Sequence, residues 1–297
     1  MKEKLVSIII PTFNGEKFIE ETIKNCQEQS YRNIEIIVIN DGSSSKELEE
    51  VLEPYIKAKV IKYIYQENKG LAGARNTGIK HALGNYIQFL DDDDLLDKYK
   101  IENQVKYLEK NQEVLGVYCK TKYFDNDTKE IIKELEVRPN EDIYGQFLIK
   151  NFLSVNSILI RKKDLLFDES LKSLEDYDYW LRYFNTNEKI GFTDDTYCMV
   201  RVHNNNMSSN LYRMAENEIK VLEKELLKNS NSKYTELINY RLFKLKYLIG
   251  VECDENQRFI INANKYNLIK VLLYKFKQVI KKIKSDKKNI YYNKKNR

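Results

Sequence analysis

The chain has 297 residues, of which 42% are hydrophobic and 32% charged, a composition that favours a folded core over intrinsic disorder. No apolar run reaches the roughly 18 residues of a membrane span, which argues against an integral membrane protein. The four cysteines are scattered without metal-site spacing, so we expect reduced core thiols of a cytosolic protein rather than a zinc module.

The first ninety residues alternate β-branched apolar runs with amphipathic stretches. The opening run breaks at Pro11 without a cleavage site, so we interpret it as a strand rather than a signal peptide. Continuous apolar strands separated by helices indicate a parallel sheet covered on both faces, and right-handed crossovers then give a Rossmann-like, doubly wound α/β fold. The predicted strands are 4–11, 34–41, 60–66 and 85–91, and the predicted helices lie near 15–29, 45–57 and 70–83.

The pattern changes after residue 97. We predict a boundary near residue 210, with an α/β domain over 1–210 and a helical C-terminal region over 211–297. The predicted elements are helices near 97–110 and 173–184, strands over 114–124 and 154–162, a strand entering an Asn-rich loop over 198–208, and helix from 211 to near 284.

Polar clusters follow the first four predicted strands: "PTFN" (11–14), "NDGSSS" (40–45), "QENKG" (66–70) and "DDDD" (91–94). In doubly wound sheets ligands bind beyond the carboxyl ends of the strands, so these clusters predict one shared crevice. Taken singly, each cluster is equally typical of a helix cap or a turn.

The run "FLDDDDLL" (89–96) places four like charges side by side. A hard divalent cation would relieve their repulsion, whereas a solvated turn is the plain alternative. In an extended chain Asp91 and Asp93 would share one side, as in a D-x-D motif. No P-loop and no G-x-G-x-x-G motif is present, which favours metal bridging of a diphosphate assisted by Arg75 or Lys69.

A second acidic cluster, "LEDYDYW" (174–180), begins a predicted helix. Glu175, Asp176 and Asp178 repel one another and Trp180 would restrict water, so a carboxyl pKa raised towards neutrality is expected here. Such a carboxylate is suited to general-base catalysis. The structural alternative is that acids near a helix N-terminus interact favourably with the helix dipole.

Taken together, these segments resemble family 2 glycosyltransferases of the GT-A fold, of the type found in bacterial glycan biosynthesis. The resemblance covers roughly residues 4–208, and its motifs are specific as a set. It implies transfer of a sugar, commonly from a UDP-sugar, to an acceptor hydroxyl with inversion at the anomeric carbon. It also implies a divalent cofactor, Mn²⁺ or Mg²⁺, that bridges the donor diphosphate to the D-x-D motif.

The resemblance also implies roles for individual residues. Pro11 and Phe13 would line the base pocket, Asp41 would hydrogen-bond the base, and Arg75 would lie near the diphosphate. Asn68 joins these candidate nucleotide-binding residues.

The acidic segments receive roles from the same resemblance. Asp91 would approach the ribose or the metal, Asp93 would ligate the metal, and His203 of "RVHNNNMS" would complete the metal or diphosphate site. Asp92 stands where the family normally has a small residue, and we count it among the nucleotide-binding candidates. Asp176 would be the general base.

The C-terminal segment differs in kind, because residues 265–297 contain twelve Lys and Arg and one acid, a balance of +11, against −6 for the rest. One helical face of this segment is apolar and the opposite face is rich in Lys, which predicts peripheral contact of 266–297 with an anionic membrane. A capping helix with a basic end, or nonspecific binding of nucleic acid, are the alternatives. The apolar face comprises Ile269, Leu272, Leu273, Phe276, Ile280 and Ile283.

The sequence therefore predicts an inverting, metal-dependent glycosyltransferase. Its partners would be a nucleotide-sugar donor and a glycan or lipid-linked acceptor, without specific nucleic acid. We expect it in the cytoplasm, at the inner face of the cell membrane. Two alternatives are a sugar-nucleotide nucleotidyltransferase, disfavoured by the missing glycine-rich phosphate loop, and a non-catalytic membrane-associated scaffold, disfavoured by the intact acids.

Overall fold

The computed structural model describes residues 3–185, 188–203, 211–229 and 232–248. The predicted basic helix over 266–297 and Cys253 lie outside these residues. None of the described helices is both long and apolar enough to cross a bilayer.

The described residues contain nine strands in one sheet. They are β1 (Val6–Thr12), β2 (Ile34–Asp41), β3 (Ile61–Gln66), β4 (Tyr86–Phe89), β5 (Leu95–Leu96), β6 (Val114–Asp125), β7 (Ile131–Leu135), β8 (Ile158–Arg161) and β9 (Lys189–Val202). The helices are α1 (Ile19–Gln27), α2 (Glu47–Lys57), α3 (Gly70–His81), α4 (Lys100–Lys110), α5 (Ile143–Ile149), α6 (Glu175–Tyr183), α7 (Leu211–Lys228) and α8 (Thr235–Leu248), with a 3₁₀ turn at Val155–Ser157.

The first four strands form the predicted parallel arrangement, in the order β3-β2-β1-β4. The sheet continues through β8, β6, β9 and β5, and β7 pairs with β6. Antiparallel pairs enter only in this second half, at β4–β8, β6–β8, β6–β7 and β5–β9. The α/β fold predicted from the sequence is therefore confirmed.

Both faces of the sheet are covered, because alternate residues of β1 enter different apolar clusters. Ile8 and Ile10 pack in the cluster that contains residues of α1, α2 and α4. Ile9 packs in the other cluster with residues of α3 and α6, including Ala74 and Trp180. This double burial explains why the strands are apolar without interruption.

Several elements differ from the prediction. Strands β5 and β7 and helix α5 were not expected, β9 begins at Lys189 rather than near 198, and the helix predicted from 211 is divided into α7 and α8. All but the last residue of β7 are exposed, so it carries no alternating pattern, and α5 has only seven residues. The pairing of β9 with β6 shifts register after Cys119, which interrupts the regular alternation of β9.

Helices α7 and α8 pack on the larger of the two apolar clusters. Leu222 of α7 and Ile238 of α8 are fully buried there with Trp180 of α6. The described part of the C-terminal region thus shares a core with the α/β sheet, while the boundary near residue 210 stays a prediction.

Candidate active site

The strand ends bring the predicted polar clusters to one edge of the sheet. Thr12 of β1 lies beside Asn40 of β2, and Asp41 lies beside Gln66 of β3. The acidic run follows β4, the neighbour of β1 on its other side. All four clusters therefore follow the carboxyl ends of neighbouring parallel strands, where the fold class places ligand sites.

Asp41 is a buried carboxylate at the end of β2. Its Oδ1 accepts hydrogen bonds from Gln66 Nε2 at 2.6 Å and from the Lys69 backbone N–H at 2.9 Å. Gly42 follows with φ of +77°, and a Cβ there would press on the Asn68 backbone. The tight turn after β2 thus requires glycine.

Three other nucleotide-binding candidates lie at the ends of β1 and β3 or in the loops that follow these strands. Pro11 is buried in β1, whereas Phe13 is 53% exposed at the strand end and offers an accessible ring. Asn68 is exposed, and its Oδ1 accepts the Gly70 N–H at 3.2 Å. Asn14 Oδ1 accepts the Ser44 N–H at 3.0 Å, which ties the β1 and β2 loops together.

The acidic run is a turn and not an extended chain, since the Asp94 N–H donates to the Asp91 carbonyl at 3.2 Å. The extended geometry expected for Asp91 and Asp93 is therefore wrong. Each of the four carboxylates contacts a different side chain elsewhere in the fold.

Asp92 packs against the end of β1, where Thr12 Oγ1 donates to its Oδ2. A Cβ on Gly15 would collide with this same oxygen, so the close approach requires glycine. Burial raises the pKa of Asp92 to about 7, and the Thr12 hydrogen bond opposes that rise. The sequence pattern gave no signal for this contact.

Asp94 is 2% exposed, and its hydrogen bonds hold the turn in place. Its carboxylate accepts the Arg201 backbone N–H at 2.7 Å and the Asn156 side-chain amide. Asn156 Oδ1 in turn accepts the Asp91 N–H at 2.9 Å. Burial raises the pKa of Asp94 well above its ordinary value. Asn156 and Arg201 are structural supports that the sequence analysis missed.

Arg75 joins the acidic turn to helix α6. Its guanidinium is 2% exposed and donates to Asp91 Oδ1 at 2.8 Å and to Glu175 Oε1 at 2.6 Å. Two carboxylates that are distant in sequence are thereby held by one buried cation.

Asp176 lies next to Glu175 at the start of α6. Leu174 precedes them in the left-handed region, with φ of +59°, which is uncommon for a residue with a branched side chain. Burial raises the pKa of Asp176 to about 7, the Glu175 charge adds to the rise, and Arg75 opposes it. Asp176 therefore changes protonation state near neutral pH.

The three predicted metal ligands are not assembled into one site. Across the described ranges, no three His, Cys, Asp or Glu side chains are grouped to hold a metal. Asp91 faces Arg75, while Asp93 Oδ2 lies 2.8 Å from His203 Nε2. Burial raises the pKa of Asp93 and His203 opposes that rise. A carboxylate–imidazole pair still fits a hard cation whose other ligands are phosphate oxygens and water.

A model of the family described as Glycosyl transferase family 2 matches residues 7–174, more than half of the chain. The chain belongs to this family. A relative from Rickettsia prowazekii, named as the uncharacterised glycosyltransferase RP339, is 38% identical over 213 residues. The match covers 67% of this chain and 64% of that protein, so the chain spans less than two thirds of its length.

Solved glycosyltransferase structures share the fold. S. aureus TarS 1–349, in complex with UDP-GlcNAc, superposes with a TM-score of 0.63 at 20% identity, over 82% of this chain and 71% of that one. The mannosyltransferase PcManGT from Pyrobaculum calidifontis, in complex with GDP-Man and Mn²⁺, gives 0.57 at 18% identity, over 85% and 76%. The GT-A fold and the family predicted from the sequence are both confirmed.

The bridge through Arg75 predicts a large loss of stability when its cation is removed. Arg75→Met leaves the buried Glu175 carboxylate unpaired, so the free energy of unfolding should fall by about 3–5 kcal/mol in urea denaturation. The exposed pair of Lys106 with Glu102 provides the matched control, and Lys106→Met should cost less than about 1 kcal/mol. Equal, small losses in both variants would contradict a structural role for the bridge.

Proposed function

We propose that the chain is an inverting glycosyltransferase that moves a sugar from a UDP-sugar to a hydroxyl of a glycan or lipid-linked acceptor. The observation that carries this proposal is Asp176, a carboxylate with a pKa of about 7 next to the Arg75 bridge. A base that titrates near neutral pH is suited to deprotonating a sugar hydroxyl. The UDP-GlcNAc bound by TarS supports the choice of donor.

On the donor side, the uracil base would lie at Asp41, with Pro11, Phe13 and Asn68 around it. The exposed ring of Phe13 and the buried acceptor oxygens of Asp41 support this placement.

The diphosphate would lie near the acidic turn. Arg75 would contribute positive potential there, although both of its terminal nitrogens already bind carboxylates. Asp91 would face the ribose, and Asp92 would hold the acidic turn against the end of β1 through its hydrogen bond with Thr12. An Mn²⁺ or Mg²⁺ ion held by Asp93 and His203 would neutralise charge on the departing nucleoside diphosphate.

On the acceptor side, Asp176 would accept the proton of the attacking hydroxyl as that oxygen bonds to the anomeric carbon. The bond from this carbon to the diphosphate breaks in the same step, and its electron pair leaves with the nucleoside diphosphate. A single displacement of this kind inverts the configuration. Burial, and after it the charge of Glu175 that Arg75 holds in place, keep the pKa of Asp176 high enough for the task.

A lipid-linked acceptor would bring the enzyme to the inner face of the cell membrane. The contact would be made by the basic residues 266–297, which lie outside the described part of the chain. Their charge complements anionic lipid, and this complementarity is what supports the proposal.

Asp176→Asn should abolish transfer without abolishing donor binding. The amide keeps the shape of the carboxylate but cannot accept the proton, so turnover of UDP-GlcNAc should fall by a factor of about 100 to 10,000. Calorimetric titration should show unchanged affinity for UDP. The exposed Asp195 provides a control in Asp195→Asn, which should turn over like the unaltered enzyme. Near-normal turnover in Asp176→Asn would exclude it as the base.

Asp93→Ala should remove metal-dependent nucleotide binding. Affinity for UDP in MnCl₂ should fall at least about tenfold, because one of two protein ligands is lost. Chelation with EDTA should bring the unaltered protein to the same weak affinity, while Asp195→Ala should bind UDP normally. Tight binding by Asp93→Ala that is indifferent to EDTA would rule out the metal site.

A further inference from the structure

A chain of hydrogen bonds runs from helix α3 to the carboxylate of Asp41. Thr77 Oγ1 donates to Gln66 Oε1, and Gln66 Nε2 donates to Asp41 Oδ1 at 2.6 Å. Gln66 is the last residue of β3, and Thr77 lies in the second half of α3. These two side chains therefore tie the carboxylate at the end of β2 to a helix on one face of the sheet.

The direction of each hydrogen bond in this chain follows from the chemistry of the groups. An ionised carboxylate only accepts hydrogen bonds, so the amide nitrogen of Gln66 faces Asp41. The amide oxygen then faces Thr77, whose hydroxyl group must be the donor. Without that donor, nothing on the α3 side would hold the amide of Gln66 in this orientation.

Helix α3 is held in place where Thr77 leaves it. Arg75, two residues earlier, forms the buried bridge described above. Asn76 exchanges two hydrogen bonds with the backbone of Phe167, at 3.0 Å from Nδ2 to the carbonyl and at 2.7 Å from the N–H to Oδ1. The hydroxyl group of Thr77 therefore has a fixed position from which to orient Gln66.

The hydrogen bonds to Asp41 restrain one of its two oxygens. Gln66 Nε2 and the Lys69 backbone N–H both donate to Oδ1, whereas no described residue donates to Oδ2. Two donors on Oδ1 fix the direction in which Oδ2 points. A base with a ring N–H, such as uracil, can donate to that oxygen, whereas cytosine has an unprotonated ring nitrogen at the same position.

We propose that Gln66 and Thr77 are positioning residues for base recognition in the donor site. They hold Asp41 in the orientation that accepts a hydrogen bond from a ring N–H, and so they set a preference for a uracil nucleotide over a cytosine nucleotide. Both act through Asp41 rather than by contact with the nucleotide. This inference rests on the proposed function, because it takes Asp41 as the residue that binds the base.

The test is calorimetric titration with UDP and with CDP in MnCl₂, which gives base preference as the ratio of two dissociation constants. Losses of stability or of diphosphate affinity act on both nucleotides and cancel in this ratio. The unaltered protein should bind UDP at least about tenfold more tightly than CDP. Thr77→Val keeps the size of the side chain but frees Gln66 and Asp41 to turn towards the amino group of cytosine. The ratio should therefore fall by about twofold to tenfold, the value of one hydrogen bond.

Two further threonine variants are the controls. Thr77→Ser restores the hydroxyl group and should restore the preference for UDP. Thr235 is also a half-buried helical threonine, and its hydroxyl group donates to the Asn229 carbonyl at the start of α8. Thr235→Val should therefore leave the ratio unchanged.

The order of the chain predicts that substitutions of its two members are not additive. Gln66→Leu removes the donor to Asp41 and should lower the ratio at least as far as Thr77→Val does. Adding Thr77→Val to Gln66→Leu should cause no further fall, because Thr77 acts only through Gln66. Additive losses, or an unchanged ratio in Thr77→Val, would overturn the positioning role alone. Equal affinity of the unaltered protein for UDP and CDP would instead contradict the proposed placement of the base at Asp41.

A second readout needs no nucleotide. In ¹⁵N-labelled protein, the NMR signals of the Gln66 side-chain amide, assigned with Gln66→Leu, should move in Thr77→Val and return in Thr77→Ser. The reason is that the hydrogen bond to the amide oxygen is lost only in the valine variant. Unchanged signals in Thr77→Val would overturn the contact between Thr77 and Gln66, whatever nucleotide the protein binds.

Discussion

A buried guanidinium between two carboxylates holds the two halves of this site together. Arg75 lies on α3, Asp91 lies in the turn after β4, and Glu175 lies at the start of α6. A buried charge is tolerated only when it is paired. Helix α3, the acidic turn and the start of α6 must therefore pack correctly against one another to bring the three side chains together. The bridge also occupies Glu175, so in the proposed reaction the adjacent Asp176 is the carboxylate available for proton transfer.

Four consecutive aspartates are compatible with one folded structure because a turn separates them. Arg75, Thr12, His203 and Asn156 each contact the carboxylate of a different one of the four. Burial and mutual repulsion raise the pKa of Asp92, Asp93 and Asp94, so this turn is a region where additional positive charge stabilises the protein. A divalent cation with a diphosphate suits that electrostatic environment.

The sequence predicted the first half of the fold well because strands buried on both faces are continuously apolar and their helices are amphipathic. It missed β7, whose residues are largely exposed, and the seven-residue α5, which is too short for a periodic signal. Residue types at strand ends indicated where a site would form. They did not indicate partners, because Arg75 and Glu175 are 100 positions apart and their contact depends on tertiary packing. The extended geometry assumed for Asp91 and Asp93 failed for the same reason.

Burial and the neighbouring Glu175 charge raise the pKa of Asp176, and the pH dependence of kcat/KM shows whether this carboxylate is the base. In the unaltered enzyme the rate should rise with pH around a midpoint of about 7, because only the deprotonated carboxylate accepts a proton. Glu175→Gln removes the adjacent negative charge and should move this midpoint to lower pH. A midpoint that does not move in Glu175→Gln, or a rate indifferent to pH around 7, would contradict the account.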